Sequence, residues 1–254
     1  MQQRRRSLER ALVGPLTGGG VTSGRVSIWL TGAVVSCALV GIAPAARGDA
    51  ALVKVAPPAI LGTVESRAED IVDYALAGDR GSVVAEAARL KSDANGEAAR
   101  VLLRSGVRPP EVALLGRRSG RVATLARSGS FVAVALSANA VSQLMPALYT
   151  YFRDPVPPDV LKLDWLDREA QLRSLAHEPS GVSAVVAELA RTWPLVRRKV
   201  VLAGGASEAA AYDRHVAALQ RLDPAAGKRV QAEASWGLGL VDDLERVFSR
   251  QRRS

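Results

Sequence analysis

From residue 64 to residue 250 apolar side chains recur at steps of three and four, and this periodicity limits what the chain can become. Between residues 181 and 203, Val182, Val185, Val186, Leu189, Trp193, Val196 and Val200 trace one stripe. Between residues 64 and 77, Val64, Ala68, Ile71, Val72 and Ala75 repeat the pattern, with Glu65, Glu69 and Asp73 expected to face water. The stripes are made of Ala, Val and Leu, and aromatic residues are only 4% of the chain. Strands favour aromatic and β-branched side chains, whereas Ala and Leu suit closely packed helices. The expected fold is therefore all-α, a helical bundle with essentially no strand.

Glycine and proline mark where the helices should end. The breaks fall at Gly78-Asp79-Arg80-Gly81, Arg108-Pro109-Pro110, Ser128-Gly129-Ser130, Pro155-Val156-Pro157-Pro158, Gly204-Gly205 and Asp223-Pro224. Pro110 and Pro158 stand where a proline opens a helix, each followed by an acid. Pro194 should kink the helix it sits in, because it removes a backbone donor.

The two halves also echo each other. Residues 82–90, SVVAEAARL, match residues 184–191, AVVAELAR, and Val101–Gly106 parallels Val200–Gly205. This predicts an internal duplication, with halves at 64–152 and 158–250 and a proline-rich junction at 153–158. Two copies are too few for an open solenoid, so a closed bundle is expected.

The first 45 residues read differently. Basic residues up to Arg25 precede the uncharged run VSIWLTGAVVSCALVGIAPA at 26–45, which ends in Ala43-Pro44-Ala45. A basic n-region (1–25), an apolar core (26–45) and small residues at a cleavage site form the secretory pattern, with cleavage expected after Ala45. The run also approaches the length of a membrane anchor. Val34-Val35-Ser36-Cys37 offers a lipobox in which Cys37 would be acylated, although the residues after it stay apolar. Cleavage at Ala45 would leave a mature chain at 46–254 with neither disulfide nor thiolate, placed in the periplasm or cell envelope.

The net charge of +9 belongs mostly to the ends. Residues 46–245 hold 25 basic and 24 acidic side chains. A nucleic-acid binder concentrates positive charge on its folded body, so no nucleic-acid partner is expected. The uncharged segment 128–152 is long enough to span a bilayer, but Ser137, Asn139, Ser142, Gln143 and Pro146 interrupt it. It is expected to be the buried central helix of the bundle, leaving the signal segment as the only membrane contact.

Familiar chemistry is excluded motif by motif. One cysteine rules out C-x-x-C-H haem attachment, and neither His177 nor His215 follows a Glu by three residues, as a di-iron bundle would need. H-E-x-x-H, P-loop, dinucleotide and G-x-S-x-G patterns are missing, as is Ser-x-x-Lys. No metal site and no cofactor is expected. The best positive signal is Leu163-Asp164-Trp165-Leu166-Asp167-Arg168-Glu169. Glu169 shares a helix face with Trp165 and Leu172, and a carboxylate held partly out of water there is a candidate ligand or general base. The plainer alternative pairs these acids with Lys162, Arg168 and Arg173. Asn139, on the uncharged segment, reads as a buried polar group satisfied by a neighbouring helix, and His215 as packed beside Tyr212, Val216 and Leu219. Arg117, Arg118, Arg121 and Arg127 form a basic cluster that a solvated helix face explains as well as an anionic partner does.

An export signal followed by paired helical copies, joined through Pro155–Pro158 and LDWLDRE at 163–169, resembles uncharacterised helical envelope proteins of Gram-negative bacteria. The resemblance implies an exported helical domain and brings no activity or site residues with it. The expected function is that of a non-enzymatic binding or interaction protein of the envelope, with a protein or small molecule as partner. The alternative is a bundle holding a small ligand or metal ion in its core, at Glu169, Trp165, Asn139 and His215.

Overall fold

The computed structural model describes residues 54–250, so the expectations for residues 1–45, including Cys37 and Ala45, lie outside the described residues. Ten helices and no strand make up the described chain. They are α1 (Ala59–Leu76), α2 (Arg80–Asn95), α3 (Glu97–Arg104), α4 (Pro109–Ser128), α5 (Phe131–Ser142), α6 (Met145–Tyr149), α7 (Pro158–Leu175), α8 (Pro179–Leu202), α9 (Ala206–Arg221) and α10 (Gly227–Arg250).

The ends follow local chemistry. Asp79 accepts a hydrogen bond from the Ser82 N–H at 3.0 Å, and Ser130 accepts one from Ala133, capping α2 and α5. Prolines occupy the first turns of α4, α7 and α8. Gly106 and Gly204 take φ values of +83° and +86°, and the N–H of the next residue bonds back to Leu102 and Val200 respectively. This pair of left-handed glycine closures satisfies the last carbonyls of α3 and α8. Sequence reading missed the break at Gly96, which separates α2 from α3, whereas α8 runs on through Pro194.

Helices α1, α2, α4 and α5 close one ring of neighbours, and α7, α8, α9 and α10 close a second in the same order. The first half is filled by aliphatic side chains such as Leu61, Ile71, Leu90, Leu102, Leu115 and Met145, with alanines at close approaches. The second centres on Leu163, Leu166, Leu189, Trp193, Tyr212 and Leu244. Helix α7 packs on α8 and α10 and also on α5 and α6, so it is covered from both halves. Residues 166–170 of α7 are consequently all buried, although three of them are charged.

The uncharged segment is two helices rather than one, because α5 stops at Ser142 and α6 restarts at Met145, beside Pro146. Phe131–Tyr149 passes for a membrane span by length and mean hydropathy (1.5), but half of it is buried inside the bundle. Met145 and Leu148 of this segment fill the interior, while Leu144 is only half-buried.

Candidate functional site

Three consecutive charges at the centre of α7 organise the polar interior. Asp167 points into the second half, where its Oδ2 accepts from the Tyr212 hydroxyl at 2.7 Å. Its Oδ1 lies 2.8 Å from His215 Nε2, and His215 Nδ1 lies 2.9 Å from Glu233 Oε1. Ionised carboxylates only accept, so with both acids charged the histidine between them is a double donor, whereas a protonated Asp167 would donate to Nε2. Burial is the largest influence on Asp167 and raises it above the ordinary carboxylate range, against the hydrogen bonds from His215 and Tyr212. Burial also opposes charge on His215, yet the Asp167 and Glu233 contacts together lift it above the ordinary imidazole value. Both shifts keep a proton on the pair.

Aromatic rings line the cluster, which reaches the surface at Glu233 and Trp236. Tyr212 lies between Trp193 and the His215 ring, and Trp236 meets the other side of His215 edge-on at 5.9 Å. Gly237 of α10 leaves the necessary room, since a Cβ there would fall 2.4 Å from His215 Nε2 and 2.6 Å from Asp167 Oδ2.

Glu169 points toward the first half. Its Oε2 accepts from Asn139 Nδ2 at 2.8 Å, and its Oε1 accepts from Arg173 Nε at 2.8 Å. Arg173 also bonds Glu178. Asn139 Nδ2 reaches the Trp165 carbonyl as well, at 3.3 Å. Between these two clusters, buried Arg168 contacts Asp164 at 2.8 Å and Glu69 at 3.3 Å. Burial alone would lower the Arg168 pKa, but Asp164 and then Glu69 raise it, so the guanidinium stays charged.

The four candidates from sequence thus divide into two places. Asn139, Trp165 and Glu169 come together beside α5, while His215 belongs to the Asp167 cluster on the other side of α7. Both Glu169 oxygens and both His215 nitrogens are engaged within the protein. Among the described residues no group of three His, Cys, Asp or Glu side chains is arranged to hold a metal ion. Pairing of Arg168 with Asp164 and of Arg173 with Glu169 matches the plainer reading of α7, and Lys162 pairs with Glu188 of α8 instead.

Sequence reasoning missed Asp167, Tyr212, Glu233 and Gly237. One signal was available: Gly237 interrupts the interior of a long amphipathic helix, where glycine costs about 1 kcal/mol against alanine, so a close approach was to be expected there. Glu65 was missed too, having been assigned to the solvent face. It accepts from the Tyr149 hydroxyl at 2.9 Å, and burial, then the neighbouring Glu69, push it up to about 8.

Comparison with protein-family models, with curated proteins and with solved structures finds no match to this chain. Function must therefore be argued from the geometry.

Proposed function

We propose that this protein is an exported, non-enzymatic binding or interaction protein of the bacterial cell envelope, acting through its surface rather than through a buried reaction centre. The observation carrying this reading is how the interior acids and the histidine are used. Asp167, Glu169 and His215 spend their polar atoms on one another, on Asn139, Tyr212 and Glu233, and on Arg173. A general base must reach a substrate proton, and a ligand group must present a free lone pair. Apolar surface is instead left outside, at Leu195 and Leu202 on α8 and in an open groove of about 290 Å³ lined by Val182, Val186, Leu219, Leu222, Pro224 and Val230. Export rests on the pattern of residues 1–45. The expected mature amino terminus is Ala46, and amino-terminal sequencing of exported protein tests it; a start at acylated Cys37, or retention of residue 30, overturns cleavage after Ala45. Affinity capture from envelope and cytoplasmic fractions tests the interaction role, and a specific partner found only in the cytoplasm refutes the envelope assignment.

A second reading has its own support. Asn139 Oδ1 and Trp165 Nε1 are buried without a hydrogen-bond partner, one an acceptor and one a donor, and both residues flank Glu169. Such orphans are costly and call for an explanation. A small polar molecule that donates to Asn139 and accepts from Trp165 would satisfy both. Native mass spectrometry of protein purified from its own source tests this: a released small molecule that Asn139→Ala abolishes supports it, and an unliganded mass refutes it.

The internal duplication belongs here as well. Its support is the shared order of the two helix rings and the left-handed glycine closures after α3 and α8, at Gly106 and Gly204, which fall one residue out of step in the paired stretches.

A further inference from the structure

We infer that the carboxy-terminal half of α8 is a docking face for an anionic lipid surface. The inward stripe of this helix, Leu189, Trp193, Val196 and Val200, is buried in the second half. Its outward side mixes arginines with exposed aliphatic side chains, where a solvated helix face is normally polar throughout. Leu195 and Leu202 are 65% and 77% exposed, and Val201 beside them is 41% exposed. Leu195 and Leu202 stand seven residues apart, two helical turns, and so project from the same side about 10 Å apart along the axis. Isolated exposed leucines are ordinary, but a co-facial pair in a cationic setting is the pattern of an interfacial helix.

The charges carried by this stretch itself are all basic, and Glu188 and Glu208 bound it at either end. From Leu189 to Ser207 the chain contains Arg191, Arg197, Arg198 and Lys199 and no acid. Arg191 and Arg198 lie on the same outward side as the leucines. Arg198 is paired with no acid among the described residues, while Arg191 reaches back to Glu188. The acids nearest this helix on neighbouring segments are already occupied: Asp213 by Arg197, Asp159 by Lys199 and Glu208 by Arg250. An approaching lipid phosphate therefore meets an unpaired guanidinium between two aliphatic side chains. The leucines would sit among the upper acyl segments while Arg198, on its long stem, stays at headgroup level. The inference extends the surface-acting reading of the protein, but it would survive failure of the capture experiment, because its occupant is lipid rather than protein.

Because the apolar run at 26–45 could by itself hold the chain on a vesicle, the test reads depth at one position and not binding. In the full chain, with Cys37→Ser, a single cysteine introduced as Leu202→Cys carries an environment-sensitive dye. Vesicles contain acyl chains with a bromine quencher, in phosphatidylcholine alone or mixed with phosphatidylglycerol. The comparison position is Val84→Cys, an exposed aliphatic site on α2. Several-fold stronger quenching at 202 than at 84 in phosphatidylglycerol vesicles is expected, falling towards the level at 84 in phosphatidylcholine alone and in Arg198→Glu. Equal quenching at both positions overturns the docking face. Quenching at 202 that ignores phosphatidylglycerol and Arg198→Glu overturns its anionic character. A blue-shifted dye at 202 that lipid quenchers do not reach, in a chain that sediments as a dimer, gives the face to a second copy of the chain and refutes lipid. Circular dichroism of each variant confirms the helical fold before quenching is read.

Discussion

The two halves of the bundle use one helix arrangement and fill it differently. The first is held by small and aliphatic side chains, with Ala68, Ala87, Ala94 and Ala138 fully buried where helices approach. The second contains an ionic chain, Tyr212–Asp167–His215–Glu233, that runs from the core beside Trp193 to the surface beside Trp236. The difference follows from α7. Covered by both halves at residues 166–170, that helix has no solvent side there on which to place Asp167, Arg168 and Glu169, so each must find a partner indoors. An alanine seam tolerates no added volume, whereas an ionic seam tolerates no lost partner. Each statement can be broken.

The largest effect is expected from Asp167→Ala, which strands His215 among aromatic rings. A loss of about 3–5 kcal/mol is expected in urea unfolding, the usual consequence of breaking a buried pair. Replacing both members with leucine should restore much of that loss, because an apolar pair leaves nothing unpaired. A double variant as weak as the single one would mean that shape, and not charge, holds the second half.

Gly237→Ala should follow, at about 3 kcal/mol, the upper range for overpacking, since its Cβ would fall 2.4 Å from His215 Nε2. Two residues on, Gly239 has open space around it, so Gly239→Ala should stabilise the same helix by about 0.5–1 kcal/mol through backbone entropy. If the two alanines change thermal stability in the same direction, the close approach of α10 to the ionic chain is wrong. In the first half, Ala138→Leu should cost about 1–3 kcal/mol by overpacking, with no change in pH dependence.

The pH response sharpens the comparison from the other side. The Glu65 pKa is raised, from 4.5 to about 8, so the folded state holds a proton that the unfolded chain has released. Its contribution is present below pH 4.5 and is lost as pH rises through about 8. His215 is raised as well, and acts in the same direction. Urea unfolding between pH 5 and 8 should therefore show stability falling with pH, and Glu65→Gln should flatten the part that belongs to the first half. An unchanged slope in that variant would remove Glu65 as its source. The smallest effect is expected from Lys199→Ala, whose pair with Asp159 is exposed, at about 0.2–1 kcal/mol and less in high salt.

Much of this architecture could be read from residue order alone, because helical periodicity and chain breakers act locally. The stripe through Val182, Leu189, Trp193 and Val196 required α8, and Pro158, Gly106 and Gly204 set helix ends through the dihedral angles that proline and glycine favour. Ala-rich stripes with few aromatics dictated close helix packing. The site was legible only in part. Glu169 and Asn139 stood out by their apolar surroundings and do meet, but nothing along the chain separated Asp167 from Asp164, three residues away on the same helix. That choice depends on which neighbours cover α7, and those neighbours come from positions up to 99 residues distant, as Glu69 is from Arg168. Burial is a property of the assembled bundle, so only the tertiary structure could place Asp167 against His215, turn Glu65 inward beside Tyr149, and leave Leu195 and Leu202 in water.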